Sequence, residues 1–258
     1  MIEEKETIID NLKINYKIAG KNPVILILHG WGKGSETWKT IQEILEKEGL
    51  ENISLDLPGF GKSQEPQNIW GIEDFSKFIL HFIDVLNLRK IILIGHSFGG
   101  QIALKFSILF PERIEKLILI SPATLRNKNK KLNIRKKIAE TLLKFKNFLP
   151  KFLQKSNIIK KIIYKISGAT DYYLASDMMK EIFKKITKED LENDLEKINN
   201  KTLILWGKRD KILPYKNGIF LNEKIKNSKL ILIENCSHSP HLEYPEEFSK
   251  IILNFIKE

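Results

Sequence analysis

The chain has 258 residues, of which 42% are hydrophobic and 29% are charged. This apolar fraction fills a sizeable core, which excludes an intrinsically disordered protein. A single cysteine, Cys236, excludes an internal disulfide, and no residue spacing is typical of a structural metal site. The polar N-terminus is unlike a secretory signal and the apolar runs are too short to span a bilayer, so we expect a cytoplasmic protein.

The net charge of +11 is concentrated in one part of the chain. Residues 126–165 contain 14 Lys and Arg residues and a single acidic residue, Glu140. They therefore carry +13, which leaves the rest of the chain with a net −2. We name residues 126–165 the basic segment.

Two strands open the chain, over Thr7–Asp10 and Lys13–Ile18, and an Asp10-Asn11 turn joins them. The strands predicted next are unbroken β-branched and leucine runs, which are typical of parallel sheets buried on both faces. They are Val24–Leu28, Ile53–Leu57, Ile91–Ile94 and Leu117–Ile120. Helices are predicted between them, over Ser35–Lys47, Ile72–Leu86 and Phe98–Phe110. This alternation predicts an α/β fold with a mostly parallel sheet.

Strand patterns stop near residue 125 and return near residue 200. Two apolar helical stripes, separated by Pro150, lie in the first part of this region, and helical patterns over Ser176–Ile186 and Glu189–Ile198 follow. The elements predicted after them are strand Thr202–Trp206, helix Tyr215–Lys226, strand Leu230–Glu234 and helix Glu246–Ile256. We therefore predict a core domain of residues 1–124 and 200–258, with an all-helical insertion of residues 125–199.

The strongest motif is Gly95-His96-Ser97-Phe98-Gly99, placed between a predicted strand and a predicted helix. A serine on so sharp a turn needs neighbours without a Cβ, and the turn exposes its hydroxyl at the carboxyl edge of the sheet. A chance match to this pattern is the alternative, but the flanking strand and helix make it several-fold rarer. Ser97 is therefore the candidate nucleophile.

A serine hydroxyl needs a general base, and the base needs a group to orient it. Of the five histidines, His238 and His241 follow the last predicted strand and lie at the same sheet edge as Ser97. Their spacing barely distinguishes them. Asp210 follows the preceding strand closely, which makes it the candidate orienting acid.

The sequence resembles the α/β-hydrolase superfamily over nearly its whole length. The chain order Ser97, Asp210, His238 is the nucleophile, acid, histidine order of that superfamily. Further matching motifs are His29-Gly30-Trp31-Gly32, Asp56-Leu57-Pro58-Gly59-Phe60-Gly61, Trp206-Gly207-x-x-Asp210-x-x-x-Pro214 and His238-x-x-x-x-Glu243-x-Pro245-Glu246. The last motif selects His238 as the base, because the family's histidine stands five residues before that glutamate. Ser237 is a departure, since many relatives carry glycine there.

The resemblance also implies a fold and an oxyanion hole. The fold is an eight-stranded, mostly parallel sheet flanked by helices, with the helical insertion of residues 125–199 as a cap, or lid. The backbone N–H groups of Trp31 and Phe98 would face the negative oxygen of a tetrahedral intermediate. This chemistry needs neither a cofactor nor a metal.

The motif Gly-His-Ser-x-Gly is frequent in lipases and esterases, which favours a serine hydrolase that cleaves a carboxylic ester through an acyl-enzyme. Carbon–carbon bond hydrolases use the same triad and often carry Asn where this chain has His96. They are the alternative, together with other acyl-transfer hydrolases. A ligand-binding member of the fold without turnover is a remote third hypothesis.

The predicted partner is a small-molecule ester or a related acyl substrate. No nucleic acid is expected, because the basic segment lacks an aromatic stacking set. Its two apolar stripes and +13 charge are typical of a surface that makes weak contact with anionic membrane. In the alternative interpretation, both stripes simply pack over the core domain.

Overall fold

The structure, a computed structural model, describes residues 1–21, 24–124 and 175–258. Within these ranges, one sheet contains the strands Ile2–Ile9 (β1), Leu12–Ala19 (β2), Ile25–Leu28 (β3), Asn52–Leu55 (β4), Ile91–His96 (β5), Ile114–Ile120 (β6), Lys201–Gly207 (β7) and Ser228–Ile233 (β8). The α-helices, numbered over the same ranges, are Lys39–Lys47 (α1), Ile72–Val85 (α2), Phe98–Leu109 (α3), Asp177–Ile186 (α4), Lys216–Lys224 (α5), Pro240–Glu243 (α6) and Pro245–Lys257 (α7).

The strand order is β1-β2-β4-β3-β5-β6-β7-β8. Strand β2 pairs antiparallel with β1 and β4, and every other neighbouring pair is parallel. The prediction of an eight-stranded, mostly parallel sheet flanked by helices is confirmed. The carboxyl ends of β3, β5, β7 and β8 lie at one edge, and the loops after them carry the candidate site residues.

Both faces of the central strands are buried, which is why their sequences are continuously apolar. In β5, Leu93 packs with helices α2 and α3 on one face, while Ile92 and Ile94 pack with α1 and α7 on the other. The core therefore has two layers, one on each side of the sheet.

Several element boundaries differ from the sequence expectation, among them those of β1 and of the predicted Ser35–Lys47 helix. Strand β1 begins at Ile2, five residues before the predicted start at Thr7. Its charged residues are tolerated because β1 is an edge strand and most of its side chains face solvent. The predicted Ser35–Lys47 helix divides into a 3₁₀ helix, Ser35–Trp38, and α1.

Only the last part of the predicted helical insertion lies within the described residues. Helix α4 and a 3₁₀ helix, Glu192–Lys197, pack their apolar side chains into the core layer that contains α2 and α3. The Gln101 side chain donates a hydrogen bond of 3.2 Å to the Ile186 carbonyl, which fixes the end of α4 to α3. The domain boundaries at 125 and 199 stay a prediction, and the basic segment lies outside the described residues. In the described part of the chain, no helix has the length and apolarity needed to cross a bilayer.

Candidate active site

Ser97 lies on a strained turn between β5 and α3. Its backbone φ is 51° and its ψ is −110°, a conformation that L-residues rarely adopt. The turn is held because the Ser97 N–H donates to the Ile120 carbonyl at 2.9 Å and the Ala123 N–H donates to the Ser97 carbonyl at 3.0 Å. The side chain therefore emerges at the carboxyl edge of the sheet, beside the N-terminus of α3.

The glycines around Ser97 are required by close backbone packing. A Cβ on Gly95 would lie 2.5 Å from the Gly99 carbonyl oxygen, and one on Gly99 would lie 2.4 Å from the Leu28 carbonyl oxygen. Real Cβ atoms do not approach backbone atoms so closely. The turn therefore forms only with glycine at both positions.

The structure brings Ser97, His238 and Asp210 into one hydrogen-bonded chain. The His238 Nε2 atom lies 3.0 Å from Ser97 Oγ, and the His238 Nδ1 atom lies 2.7 Å from Asp210 Oδ2. The Asp210 carboxylate is fully buried, and the His238 side chain is mostly buried. An ionised carboxylate only accepts hydrogen bonds, so Nδ1 carries the proton and Nε2 offers a lone pair to the serine hydroxyl.

Asp210 is itself held in a fixed orientation. Its Oδ1 atom accepts the N–H groups of Ile212 at 2.8 Å and Leu213 at 2.9 Å, which leaves Oδ2 for His238. The Arg209 N–H donates to the Cys236 carbonyl at 2.9 Å and so joins the acid loop to the histidine loop. The carboxylate is therefore aligned before any substrate binds.

His241, the histidine that spacing alone left open, lies elsewhere. Its ring is buried and stacks on Trp38 with the centroids 4.1 Å apart, and it contacts His96 at 4.7 Å. Burial lowers the pKa of His241 to about 3. This residue is a neutral core histidine in the described structure, whereas His238 is the histidine at the serine.

The N–H groups of Trp31 and Phe98 lie at the same edge of the sheet. The Gly99 N–H donates to the His29 carbonyl at 3.1 Å, which joins the start of α3 to the loop after β3. Neither the Trp31 nor the Phe98 N–H has an acceptor among the described residues.

Edge-to-face contacts with Phe60, Phe98 and Phe183 hold the Trp31 ring, at centroid distances of 4.8, 5.4 and 4.8 Å.

Two buried polar residues support the loop that contains Trp31. His29 donates from Nδ1 to the Gly30 carbonyl at 2.7 Å and accepts the Leu57 N–H at Nε2, at 3.0 Å. Burial lowers the pKa of His29 to about 4, so the ring stays neutral. The Asp56 carboxylate accepts the Ser35 N–H at 2.6 Å. Burial alone would raise the pKa of Asp56, but hydrogen bonds from backbone amides lower it overall.

The contacts that hold the loop carrying His238, the histidine loop, are not predicted by the sequence. Glu243 accepts hydrogen bonds from Ser237 and Ser239, which flank His238. His96 donates from Nε2 to the His238 carbonyl at 2.9 Å. Glu243 and His96 each belong to a motif noted in the sequence, but sequence spacing gives no partner for either of them.

The arrangement can perform nucleophilic catalysis with side chains and backbone amides alone. It combines a half-buried serine hydroxyl, a base oriented by a buried carboxylate, and the N–H groups of Trp31 and Phe98 at the same edge of the sheet. The described residues contain no group of three or more His, Cys, Asp or Glu side chains that could hold a metal ion.

The chain matches known proteins over most of its length. A family model described as the alpha/beta hydrolase fold matches residues 23–156. A 2-hydroxy-6-oxononadienedioate/2-hydroxy-6-oxononatrienedioate hydrolase of Pseudomonas putida is 27% identical over 95% of this chain and 92% of the relative. A human monoacylglycerol lipase is 28% identical over 92% of this chain and 76% of the relative.

Solved structures show the same similarity. A crystal structure of a bacterial membrane phospholipase A superposes with a TM-score of 0.79 at 27% identity, covering 99% of this chain and 86% of the other. The similar proteins therefore include an enzyme named as a hydrolase of 2-hydroxy-6-oxo dienedioates and trienedioates and enzymes named as a lipase and a phospholipase.

Proposed function

The chain belongs to the α/β-hydrolase fold family and is a hydrolase, and from this premise we propose that it cleaves a carboxylic ester through an acyl-enzyme. The observation that carries the proposal is the hydrogen-bonded chain from Ser97 Oγ through His238 to Asp210, at 3.0 and 2.7 Å. Each residue is held in its place before substrate arrives, which is what nucleophilic catalysis needs.

In the proposed acylation step, Ser97 Oγ attacks the ester carbonyl carbon while its proton passes to His238 Nε2. The Trp31 and Phe98 N–H groups donate hydrogen bonds to the negative oxygen of the tetrahedral intermediate. Asp210 stabilises the imidazolium without taking its proton. The carbon–oxygen bond to the alcohol then breaks, and His238 gives its proton to the leaving oxygen.

Water completes the cycle. His238 takes a proton from a water molecule, the resulting oxygen attacks the acyl carbon, and the carbon–Oγ bond breaks as Oγ recovers its proton. The products are a carboxylic acid and an alcohol. The proposed partner is therefore a small-molecule ester or a related acyl compound, and the cytoplasmic location stays a prediction from the sequence.

The relatives support two substrate chemistries. Monoacylglycerol lipase and phospholipase A carry the names of ester hydrolases, and this supports ester cleavage. The Pseudomonas putida relative supports a second candidate, hydrolysis of a carbon–carbon bond in a 2-hydroxy-6-oxo dienoate. We place ester cleavage first because the elbow contains His96 where many carbon–carbon hydrolases have asparagine.

A substrate panel with one inactivating variant tests the proposal. Wild type and Ser97→Ala are assayed on a chain-length series of p-nitrophenyl esters and on a 2-hydroxy-6-oxo dienoate. We expect ester turnover that falls by about 10³-fold or more in Ser97→Ala, with an unchanged circular dichroism spectrum. Faster turnover of the dienoate would favour the second candidate. Full ester activity in Ser97→Ala would overturn the mechanism, and no turnover of any substrate would favour the ligand-binding hypothesis.

A further inference from the structure

The loop that carries His238 has no regular secondary structure, yet every residue from Cys236 to Ser239 makes a hydrogen bond through its backbone. On the inner side, the Cys236 carbonyl accepts from Arg209 and the His238 carbonyl accepts from His96, both at 2.9 Å. On the outer side, the N–H groups of Ser237 and Ser239 and the Ser237 hydroxyl donate to one side chain, Glu243 of helix α6. We name Ser237, Ser239 and Glu243 the outer clamp.

The outer clamp holds both neighbours of His238. Glu243 Oε2 accepts the Ser237 N–H at 3.0 Å, and Glu243 Oε1 accepts the Ser239 N–H at 3.3 Å. The Ser237 hydroxyl adds a third hydrogen bond, to Oε1. A single carboxylate therefore holds the backbone N–H groups of the residues on either side of the histidine.

The charge of Glu243 suits this role. Burial alone would raise its pKa, but the hydrogen bonds from Ser237 and Ser239 outweigh burial and lower the pKa. The carboxylate is therefore ionised at neutral pH, and N–H and O–H donors bond more strongly to an ionised acceptor than to a neutral one. Helix α6 keeps Glu243 in reach, because the Leu242 and Glu243 N–H groups both donate to the Ser239 carbonyl, at 2.9 and 3.1 Å.

The contacts on the two sides fix the position and tilt of the imidazole between Ser97 and Asp210. His96 on the inner side is packed so closely that a Cβ on Gly30 would lie 2.9 Å from its Nδ1 atom. The inner contact is therefore made by a buried, closely packed side chain, whereas the outer contact is made by Glu243, whose side chain is exposed. A small rotation of His238 there would lengthen the bond to Ser97 Oγ and slow proton transfer.

We propose that Glu243 is a positioning residue for His238, acting through the loop backbone, and that Ser237 strengthens it with a hydroxyl contact that glycine at this position could not make. The proposal rests on the catalytic role given above to Ser97 and His238. Glu243 bonds to the neighbours of His238 and not to the His238 or Ser97 side chain, so we expect its removal to slow proton transfer and to change KM little.

Four variants test the outer clamp: Glu243→Ala, Glu243→Gln, Ser237→Gly and, as a matched control, Glu246→Gln. Glu246 is an exposed acid in the first turn of α7 and lies outside the clamp. We expect Glu243→Ala to lower kcat by about 10-fold to 100-fold, the rate equivalent of losing a hydrogen bond to a charged group, with KM changed by less than about threefold. Glu243→Gln keeps one acceptor oxygen, so its kcat should lie between those of wild type and Glu243→Ala. The kcat of Ser237→Gly should fall by about twofold to fivefold. The control should have the kcat of wild type.

A proton spectrum provides a readout that a purely structural role would not change. The His238 Nδ1–H proton bonded to Asp210 should give a downfield resonance in wild type and in Glu246→Gln, broadened or lost in Glu243→Ala. Wild-type kinetics in both folded Glu243 variants would overturn the proposal, as would a rise in KM with kcat unchanged. If Glu243→Ala fails to fold, Glu243→Gln and Ser237→Gly decide by the same criteria. Ser97→Ala is run in parallel: if it retains activity, the proposed mechanism itself is wrong, whereas an inactive Ser97→Ala beside fully active clamp variants refutes the clamp alone.

Discussion

The turn of residues 95–99, which carries the proposed nucleophile Ser97 and is here named the nucleophile turn, holds its side chain by other means than the histidine loop does. At the turn, Ser97 is fixed by backbone packing, in which Gly95 and Gly99 allow main-chain atoms to come into direct contact. At the loop, His238 is fixed by side chains, with His96 on one side and Glu243 on the other. A turn built from backbone contacts tolerates no added atom, whereas a loop held by side-chain hydrogen bonds can lose one contact and still fold, with His238 less well positioned.

The largest effect is expected where the histidine loop meets the acid. In Asp210→Asn the side-chain oxygen would keep the bonds from Ile212 and Leu213, so the amide NH₂ would face His238 Nδ1. That group donates, which forces the proton onto Nε2 and removes the lone pair that Ser97 needs. We expect kcat to fall by roughly 10⁴-fold with little change in KM. Asp177→Asn, an exposed change on α4, is the control, and a kcat within threefold of wild type in Asp210→Asn would refute the tautomer argument.

The next effect compares close packing at the nucleophile turn with backbone strain at a glycine elsewhere in the chain. Gly95→Ala places a Cβ against the Gly99 carbonyl, and we expect a loss of about 1–3 kcal/mol in the free energy of unfolding together with loss of activity. Gly49→Ala serves as the comparison, because Gly49 has a φ of +78° and nothing within 4 Å of an added Cβ. It should cost about 1–2 kcal/mol through backbone strain and leave activity unchanged. Full activity in folded Gly95→Ala would show that the turn is not limited by packing.

A smaller effect concerns stability against acid in the region around the histidine loop. Burial lowers the pKa of His241 to about 3, while an unfolded chain binds a proton at a pKa of roughly 6.5. The unfolded state therefore holds more protons below pH 6.5, so this contribution to stability is complete above pH 6.5 and is lost as the pH falls toward 3. Each such histidine changes the free energy of unfolding by about 1.4 kcal/mol per pH unit.

Urea denaturation at pH 7, 6 and 5 measures this loss. In His241→Phe, which keeps the stack on Trp38, the free energy of unfolding should fall less steeply with falling pH. The slope should differ from that of wild type by the amount that corresponds to about one proton. The reaction should be little affected, because His241 is not the histidine at the serine. An identical decline in the variant would mean that His241 is protonated in the native state.

The smallest effect lies outside both regions, in the basic segment of residues 126–165. If its +13 charge meets lipid, co-sedimentation with anionic vesicles should occur at low salt and vanish near roughly 0.5 M salt, where screening is short-ranged. Neutral vesicles should bind weakly. Equal binding to both kinds of vesicle, or to neither at low salt, would leave the segment as an ordinary cap surface.

The difference between local and distant contacts also decides how much of the molecule can be predicted from its sequence. The nucleophile turn is a local structure, so five consecutive residues between a strand and a helix predict it. The sheet can also be predicted, because runs such as Ile91–Ile94 are buried on both faces and contain no polar residue. The sequence does not predict the β1 start at Ile2, because an edge strand with exposed side chains need not be continuously apolar.

The histidine loop was less predictable because its partners are distant in sequence or lack a pattern of their own. His96 lies 142 residues from His238, and no periodicity links them. The distinction between His238 and His241 depends on the family motif, since both histidines follow the same predicted strand and stand only three residues apart. Glu243 was visible as a motif residue, but its contacts with Ser237 and Ser239 depend on the turn into α6, which the sequence did not predict.

The most direct test of the account is the rate and position of fluorophosphonate labelling, followed by intact-mass and peptide mass spectrometry. We predict one label per chain on Ser97 in wild type, none in Ser97→Ala, and labelling at least about 100-fold slower in His238→Ala, the size of general-base assistance. A label on another residue, or an equal rate in His238→Ala, would contradict the claim that His238 activates Ser97.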